Sequence, residues 1–273
     1  MLRIGRIQYA NCTPIFHAFQ KHFSDTNYEL VNGVPATLNS LLLQGSIDVC
    51  PSSSIEYALH PEKYLILRDL SISSNGAVKS VLLFSDRPIE ELGGCDITLS
   101  AESATSVNLL KILMNQYIGC HCTYTKDTGK QPSINERNKV FLLIGDTALK
   151  TLLNAPTKYI YDLGELWKKW TGLPFVFALW ICTVSAVQKH WQELCKLNEN
   201  LSLAKKIATH DYEEIAALSS DSQWMGKERL IEYWRNNINY DLNTEHLQGL
   251  QLFYEKSFQL GLISRIPKLN FMQ

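Results

Sequence analysis

Three stretches of the chain carry side chains suited to meeting a small anion. Residues 45–58 read Gly-Ser-Ile-Asp-Val-Cys-Pro-Ser-Ser-Ser-Ile-Glu-Tyr-Ala. That is the close of one helix, a short buried strand over 47–50, a proline break, and three hydroxyls opening the next helix. Proline in a first helical turn forfeits no hydrogen bond, and serines there can satisfy free N–H groups. Ser103-Ala104-Thr105-Ser106 and Gly145-Asp146-Thr147 have the same character, each following an apolar strand pattern and opening a helix. The N–H groups and dipole of a helix start favour negative charge. Starts of this kind aimed at one space would hold a carboxylate-bearing small molecule. Of Ser52, Ser53 and Ser54, one is expected to cap, one to bind and one to face solvent, with Ser53 preferred for binding and Ser52 kept beside it. Thr105 and Ser106 serve as caps, and a ligand carboxylate can share their helix terminus. Gly145 and Asp146 either close the site from the far side or, for Asp146, only cap a helix, since a bare carboxylate repels an anion.

Other chemistries find less support. Cys120-His121-Cys122 supplies part of a tetrahedral metal site, with no second ligand pair, so no metal is expected. None of His17, His22, His60, His121, His190, His210 and His246 stands in a nucleophile motif. His22 shares its helix's apolar face and reads as a semi-buried structural histidine. The aromatics between Trp167 and Trp180 read as core and hinge packing, not as a stacking platform for nucleic acid.

The bulk properties narrow the partners. A chain of 273 residues, 45% apolar, can bury one large core or two ordinary ones. A formal net charge of -1 and a pI near 6.7 give no field for nucleic acid. The N-terminal residues lack the apolar run of a signal peptide, no stretch is long enough to insert in a membrane, and the seven cysteines are odd in number and scattered. A cytoplasmic, disulfide-free protein is expected. Its oligomeric state is not legible from these features.

The elements that position the hydroxyls follow from periodicity. A strand over 2–9 ends in Asn11-Cys12-Thr13-Pro14, which puts Asn11 at a strand-to-helix corner before an apolar helix. A strand over 28–31 and a helix over 35–44 follow, with Gly45 as a left-handed stop. With 47–50 this makes a βαβαβα opening, which calls for a parallel sheet. Further strands are expected over 69–74, 77–85, 97–99, 140–144, 159–163 and 175–184. Helices are expected over 107–117, 145–153 and 164–171. Residues 119–139 read as one short strand and a loop, and the chain beyond 185 as helical. The apolar runs 77–85 and 175–184 bracket the middle of the chain and read as crossover strands. The expected fold is therefore α/β with two domains, 1–84 plus 178–273 and 85–177, a cleft between them, and a helical tail packed on the first. This is the type II periplasmic-binding-protein-like architecture, in which a two-strand hinge closes a cleft on its ligand.

Several of these residues also carry a family likeness. The runs Gly5-Arg6-Ile7-Gln8-Tyr9-Ala10-Asn11-Cys12-Thr13-Pro14, 45–58, Ser103-Ala104-Thr105-Ser106-Val107, Leu143-Ile144-Gly145-Asp146-Thr147-Ala148-Leu149 and 162–175 stand in an order that resembles the chorismate dehydratase family of the futalosine route to menaquinone. The likeness covers most of the first 180 residues. Ile15 stands where the family usually has leucine, and 119–139 and the tail match poorly. The resemblance implies chorismate as substrate, 3-[(1-carboxyvinyl)oxy]benzoate and water as products, and no cofactor. It implies that the substrate's own enolpyruvyl carboxylate removes the proton while Asn11 positions it. It also assigns Ser80 to the site, although a serine in a strand otherwise bonds only to backbone. Two other functions compete: a non-catalytic organic-anion binding or sensor protein, and the sister 1,4-dihydroxy-6-naphthoate synthase. The missing signal peptide and the absence of a preceding helix-turn-helix count against the first, and the asparagine motif counts against the second.

Overall fold

Alternating strand and helix patterns build two five-stranded sheets on one plan. The computed structural model describes residues 1–23, 28–126, 140–154 and 157–272. β1 (Leu2–Ile7) leads to α1 (Thr13–His22), β2 (Tyr28–Gly33) to α2 (Pro35–Leu43), and β3 (Val49–Ser53) to α3 (Ser54–Leu59). β4 (Tyr64–Ser74), β5 (Val81–Ser85) and β6 (Asp96–Leu99) precede α4 (Ala104–Ile112), which runs on as a wider turn over Leu113–Ile118. Then come β7 (Thr123–Lys126), β8 (Phe141–Ile144), α5 (Gly145–Asn154), β9 (Tyr159–Asp162), α6 (Leu163–Thr171) and β10 (Phe175–Thr183). The tail holds α7 (Val184–His210), α8 (Tyr212–Leu218), α9 (Ser222–Met225), α10 (Lys227–Asn236) and α11 (Thr244–Gln259).

The first sheet has the order β2-β1-β3-β10-β4 and the second β7-β6-β8-β5-β9. In each, three strands run parallel, and the next strand runs antiparallel to both neighbours: β10 between β3 and β4, β5 between β8 and β9. The βαβαβα opening forms the parallel part of the first sheet, β2-β1-β3, as expected. The sheets are mixed because β5 and β10 are each entered from the other sheet, so no crossover within one sheet fixes their direction. The chain passes between the sheets at 75–80 and 172–174. The strand expected over 77–85 therefore starts only at Val81. Before it, Lys79 takes a left-handed φ of 58°, and the N–H groups of Val78 and Lys79 donate to the Asp162 carboxylate at 3.1 and 2.6 Å.

Other local expectations shift for identifiable reasons. β3 continues through Pro51 to Ser53, so the proline lies in the strand and not in a helical turn. β1 pairs with β3 only at Ile4↔Val49, so one edge beyond that point carries no ladder and tolerates a residue without an N–H. β4 begins at Tyr64, five residues earlier than the pattern suggested, because register shifts against β10 break its alternation around Arg68 and Asp69. Gly45 does end α2 with φ +72°. Of the 119–139 stretch, β7 is the short strand, and 127–139 lie outside the described residues. His22 is exposed in the last turn of α1, not semi-buried. The aromatics do form core: Trp167 packs edge-on against Phe175 and Phe253, and Trp180 against Phe16. In the tail, α7 packs on α1 and β4, while α11 reaches β10, α3 and α4. Among the described residues no helix is long and apolar enough to cross a membrane.

Candidate functional site

In sheets of this kind ligands gather beyond the carboxyl ends of the parallel strands. Here those ends face one another: β1 and β3 of the first sheet deliver Tyr9, Asn11 and Ser53, while β6 and β8 of the second deliver Ser103, Ser106 and Gly145. Together with Ser80 they surround a narrow cleft that opens to solvent. Ile7, Ile72, Val78, Val81, Ile144 and Phe177 supply its apolar walls.

The Asn11 corner is pinned from three sides. The Ala10 N–H donates to Asp146 Oδ1 at 2.9 Å, the Ala10 carbonyl accepts from Trp234 Nε1 at 2.7 Å, and the Asn11 carbonyl accepts from the Tyr240 hydroxyl at 2.7 Å. With its backbone fixed, Asn11 keeps its carboxamide oxygen buried and without a hydrogen-bond partner among the described residues. An unmade buried hydrogen bond costs about 1–3 kcal/mol, and the cleft is the direction in which this oxygen can be satisfied.

The three serines of 52–54 divide differently from expectation. All are buried, and none caps α3 with its side chain. Ser53 lines the cleft with its hydroxyl free of a cap. Ser52 donates to Asn39 Oδ1 and so is turned away, and Ser54 lies against Thr105 at 3.4 Å between hydroxyls, so none of the three faces solvent. Thr105 is not on the cleft wall either. Its Oγ1 accepts the Ile55 N–H at 3.1 Å, tying α3 of the first sheet to α4 of the second.

Ser106 does reach the cleft, and with it Ser103. Ser103 caps α4 by accepting the Ser106 N–H at 3.3 Å, and the two hydroxyls stand 3.1 Å apart. Ser80, 2% exposed, makes a long 3.4 Å contact from its hydroxyl to the Val78 carbonyl, while its own carbonyl accepts the Gly145 N–H at 2.8 Å. Gly145 takes a left-handed φ of +58° with the Tyr9 ring packed directly over it. Asp146 sits behind this wall with its carboxylate turned to Ala10. Burial, and next the charges of Asp221 and Glu102, push its carboxyl up to about 6 against the opposing pull of the Ala10 N–H.

Tyr9 escaped the sequence reading as a site residue, although it stands two residues before Asn11 at a strand end. Its hydroxyl donates to Glu102 Oε2 at 2.9 Å across the cleft, and burial with the Glu102 charge raises the phenol far above its ordinary range, so it remains a neutral donor. Ser103 was expected only as a cap. Asp162 entered only as part of a strand and of a family run, with no role of its own, yet it accepts the Val78 and Lys79 N–H groups beside Ser80 while also capping α6 through Gly164 and Glu165. The apolar walls carry no sequence signal beyond ordinary core.

Comparison with known proteins places this arrangement. A family profile described as menaquinone biosynthesis matches residues 2–259. A chorismate dehydratase of Thermus thermophilus is 30% identical over 268 residues, covering 92% of this chain and 93% of its own length. A chorismate dehydratase of Campylobacter jejuni is 36% identical over 183 residues, 65% of this chain and 66% of its own. Among solved structures, the periplasmic aliphatic sulphonate binding protein of Escherichia coli superposes with a TM-score of 0.68 at 15% identity, covering 100% of this chain and 92% of that one. The fold is thus that of the periplasmic-binding-protein-like structures.

Proposed function

The chain belongs to the menaquinone-biosynthesis family, and we propose that it is a chorismate dehydratase, a hydro-lyase that converts chorismate to 3-[(1-carboxyvinyl)oxy]benzoate and water. The observation that carries this reading is the lining of the cleft: four serine hydroxyls, a tyrosine, one asparagine and apolar walls, with no carboxylate, imidazole or amine among the described lining residues. Such a wall binds and orients an anion without offering a strong base of its own.

That suits this substrate. The ring carbon bearing the enol ether carries a proton acidified through the diene conjugated to the ring carboxylate. The enolpyruvyl carboxylate takes that proton, the C–H electron pair forms the new ring double bond, and the neighbouring C–O bond breaks, its hydroxide taking the proton back from the carboxyl group and leaving as water. Aromatisation supplies the driving force. The protein's task is to hold the reactive conformer, and orientation of this kind contributes several kcal/mol, on the order of 7–11 in the best intramolecular cases. Ser53, Ser80, Ser103 and Ser106 donate to the carboxylates, the apolar walls flank the ring, and Asn11 hydrogen-bonds at the reacting end with its otherwise unpartnered carboxamide. The two sheets act as lobes joined at 75–80 and 172–174 that close over the substrate.

Purified protein incubated with chorismate should release the aromatic enol ether, detected by mass spectrometry. Asn11→Ala should lose at least about 100-fold in kcat while keeping its Tm, as removal of a single hydrogen bond at a reacting centre does. Chorismate that binds and is recovered unchanged would overturn this reading in favour of a binding protein, the use made of the same fold by the sulphonate-binding relative.

A further inference from the structure

The tail contributes four polar side chains to the back of the cleft from one short segment, 233–240. Three of them hold backbone carbonyls. Trp234 Nε1 donates to Ala10, Asn237 Nδ2 to Ala77 at 2.9 Å, and the Tyr240 hydroxyl to Asn11. Each bond fixes a stretch next to a cleft residue: the Tyr9–Asn11 corner in two cases, the crossing that leads to Ser80 in the third.

The fourth, Tyr233, behaves differently. It is 1% exposed, and its hydroxyl is buried with no hydrogen-bond partner in good geometry among the described residues, although it lies against the Ser80 side chain. A buried phenol left in that state costs about as much as a lost hydrogen bond, so something must offset it. Ser80 is the neighbour able to do so. Its hydroxyl donates to the Val78 carbonyl at a long 3.4 Å, which leaves its oxygen able to accept. If Tyr233 occupies that oxygen, the Ser80 hydrogen has only the distant Val78 carbonyl to give up for a substrate acceptor in the cleft, and the serine becomes a donor polarised from behind.

We propose that Tyr233 is a positioning residue that donates its hydroxyl to Ser80 Oγ and thereby aims the Ser80 hydrogen at the bound substrate. The proposal rests on the reading of the cleft as a chorismate site. A segment of the tail, where the family likeness was weak in the sequence, thus completes the site from behind.

Kinetics with chorismate on four proteins test it: wild type, Tyr233→Phe, Ser80→Ala and the double variant. Tyr233→Phe should lower kcat about tenfold, the scale of one oriented hydrogen bond, with KM within twofold and Tm unchanged or higher, because an unpaired buried hydroxyl has been removed. In the Ser80→Ala background the same change should cost nothing more. Unchanged kcat for Tyr233→Phe, or losses that multiply in the double variant, overturn the proposal. A lowered Tm with unchanged kcat does so too, since it marks a purely structural hydroxyl. If wild type leaves chorismate intact, the functional reading falls by itself. The cycle is then read from the chorismate-induced rise in Tm, where coupling between Ser80 and Tyr233 upholds the orientation and additive losses reject it.

Discussion

At Gly145 two demands meet that alanine cannot satisfy together. The backbone is left-handed, and an added Cβ would stand 2.8 Å from the Tyr9 ring. Gly145→Ala is expected to cost about 1–3 kcal/mol of stability from strain and overlap, and to raise KM for chorismate at least about tenfold by displacing Tyr9 from the cleft. Equal KM in the variant would show that Tyr9 is free to move. Asp146 makes a second residue-level prediction, in pH. Its carboxyl lies at about 6 where the lobes meet, above the ordinary value near 4. The packed state therefore binds this proton more tightly than the unfolded chain does. The stabilisation so gained is complete below about pH 4 and is lost as pH rises through about 6. Thermal melts of wild type should show a falling Tm across this window. Asp146→Asn keeps an acceptor for the Ala10 N–H and should flatten that part of the profile, and a slope that survives the substitution would assign it to another group. At this scale Asn11, Ser53, Ser80, Ser106 and Gly145, named from motif position or from the family likeness, all line the cleft. Ser52, Thr105 and Asp146 were chosen on the same grounds and face elsewhere, because hydroxyls and carboxylates serve equally well as ties between elements.

Among the elements, α11 depends on one close approach. Gly249 faces the second connection between the sheets so closely that a Cβ would stand 2.1 Å from the Pro174 carbonyl oxygen, which is backbone and cannot turn aside. Gly249→Ala should lower stability by about 1–3 kcal/mol, the range for overpacking a full interior, even though alanine is the better helix former. A stabilised variant would mean that α11 slides freely on this connection. Most elements could be read from their periods. α2, α5, α6 and β10 lie within a residue or two of expectation, since each has an amphipathic or unbroken apolar pattern with a plain stop such as Gly45 or Gly172. β4 and the start of β5 could not be read so well. A register shift and a left-handed lysine leave the local composition looking like an ordinary strand.

For the whole molecule, the two sheets are tied by bonds that no local pattern announces: Tyr9 to Glu102, Ala10 to Asp146, and Ile55 to Thr105. Thr105→Val keeps the shape but leaves the buried Ile55 N–H without its acceptor. We expect a loss of about 1–3 kcal/mol, felt mainly as looser closure, with a larger radius of gyration by small-angle scattering and a severalfold higher KM. Unchanged scattering and KM would show that the tie does not limit opening. The sequence by itself determined the α/β alternation, the helix starts with their hydroxyls, the Asn11 corner and the family likeness, because these reside in neighbouring residues and their spacing. Only the tertiary structure decided which hydroxyl faces the cleft and which ties the lobes, that β5 and β10 run against their sheets, and that 233–240 brace the site from about 220 residues away in sequence. Those outcomes depend on which surfaces the chain brings together across long separations, and a local pattern of polar and apolar residues does not encode that pairing.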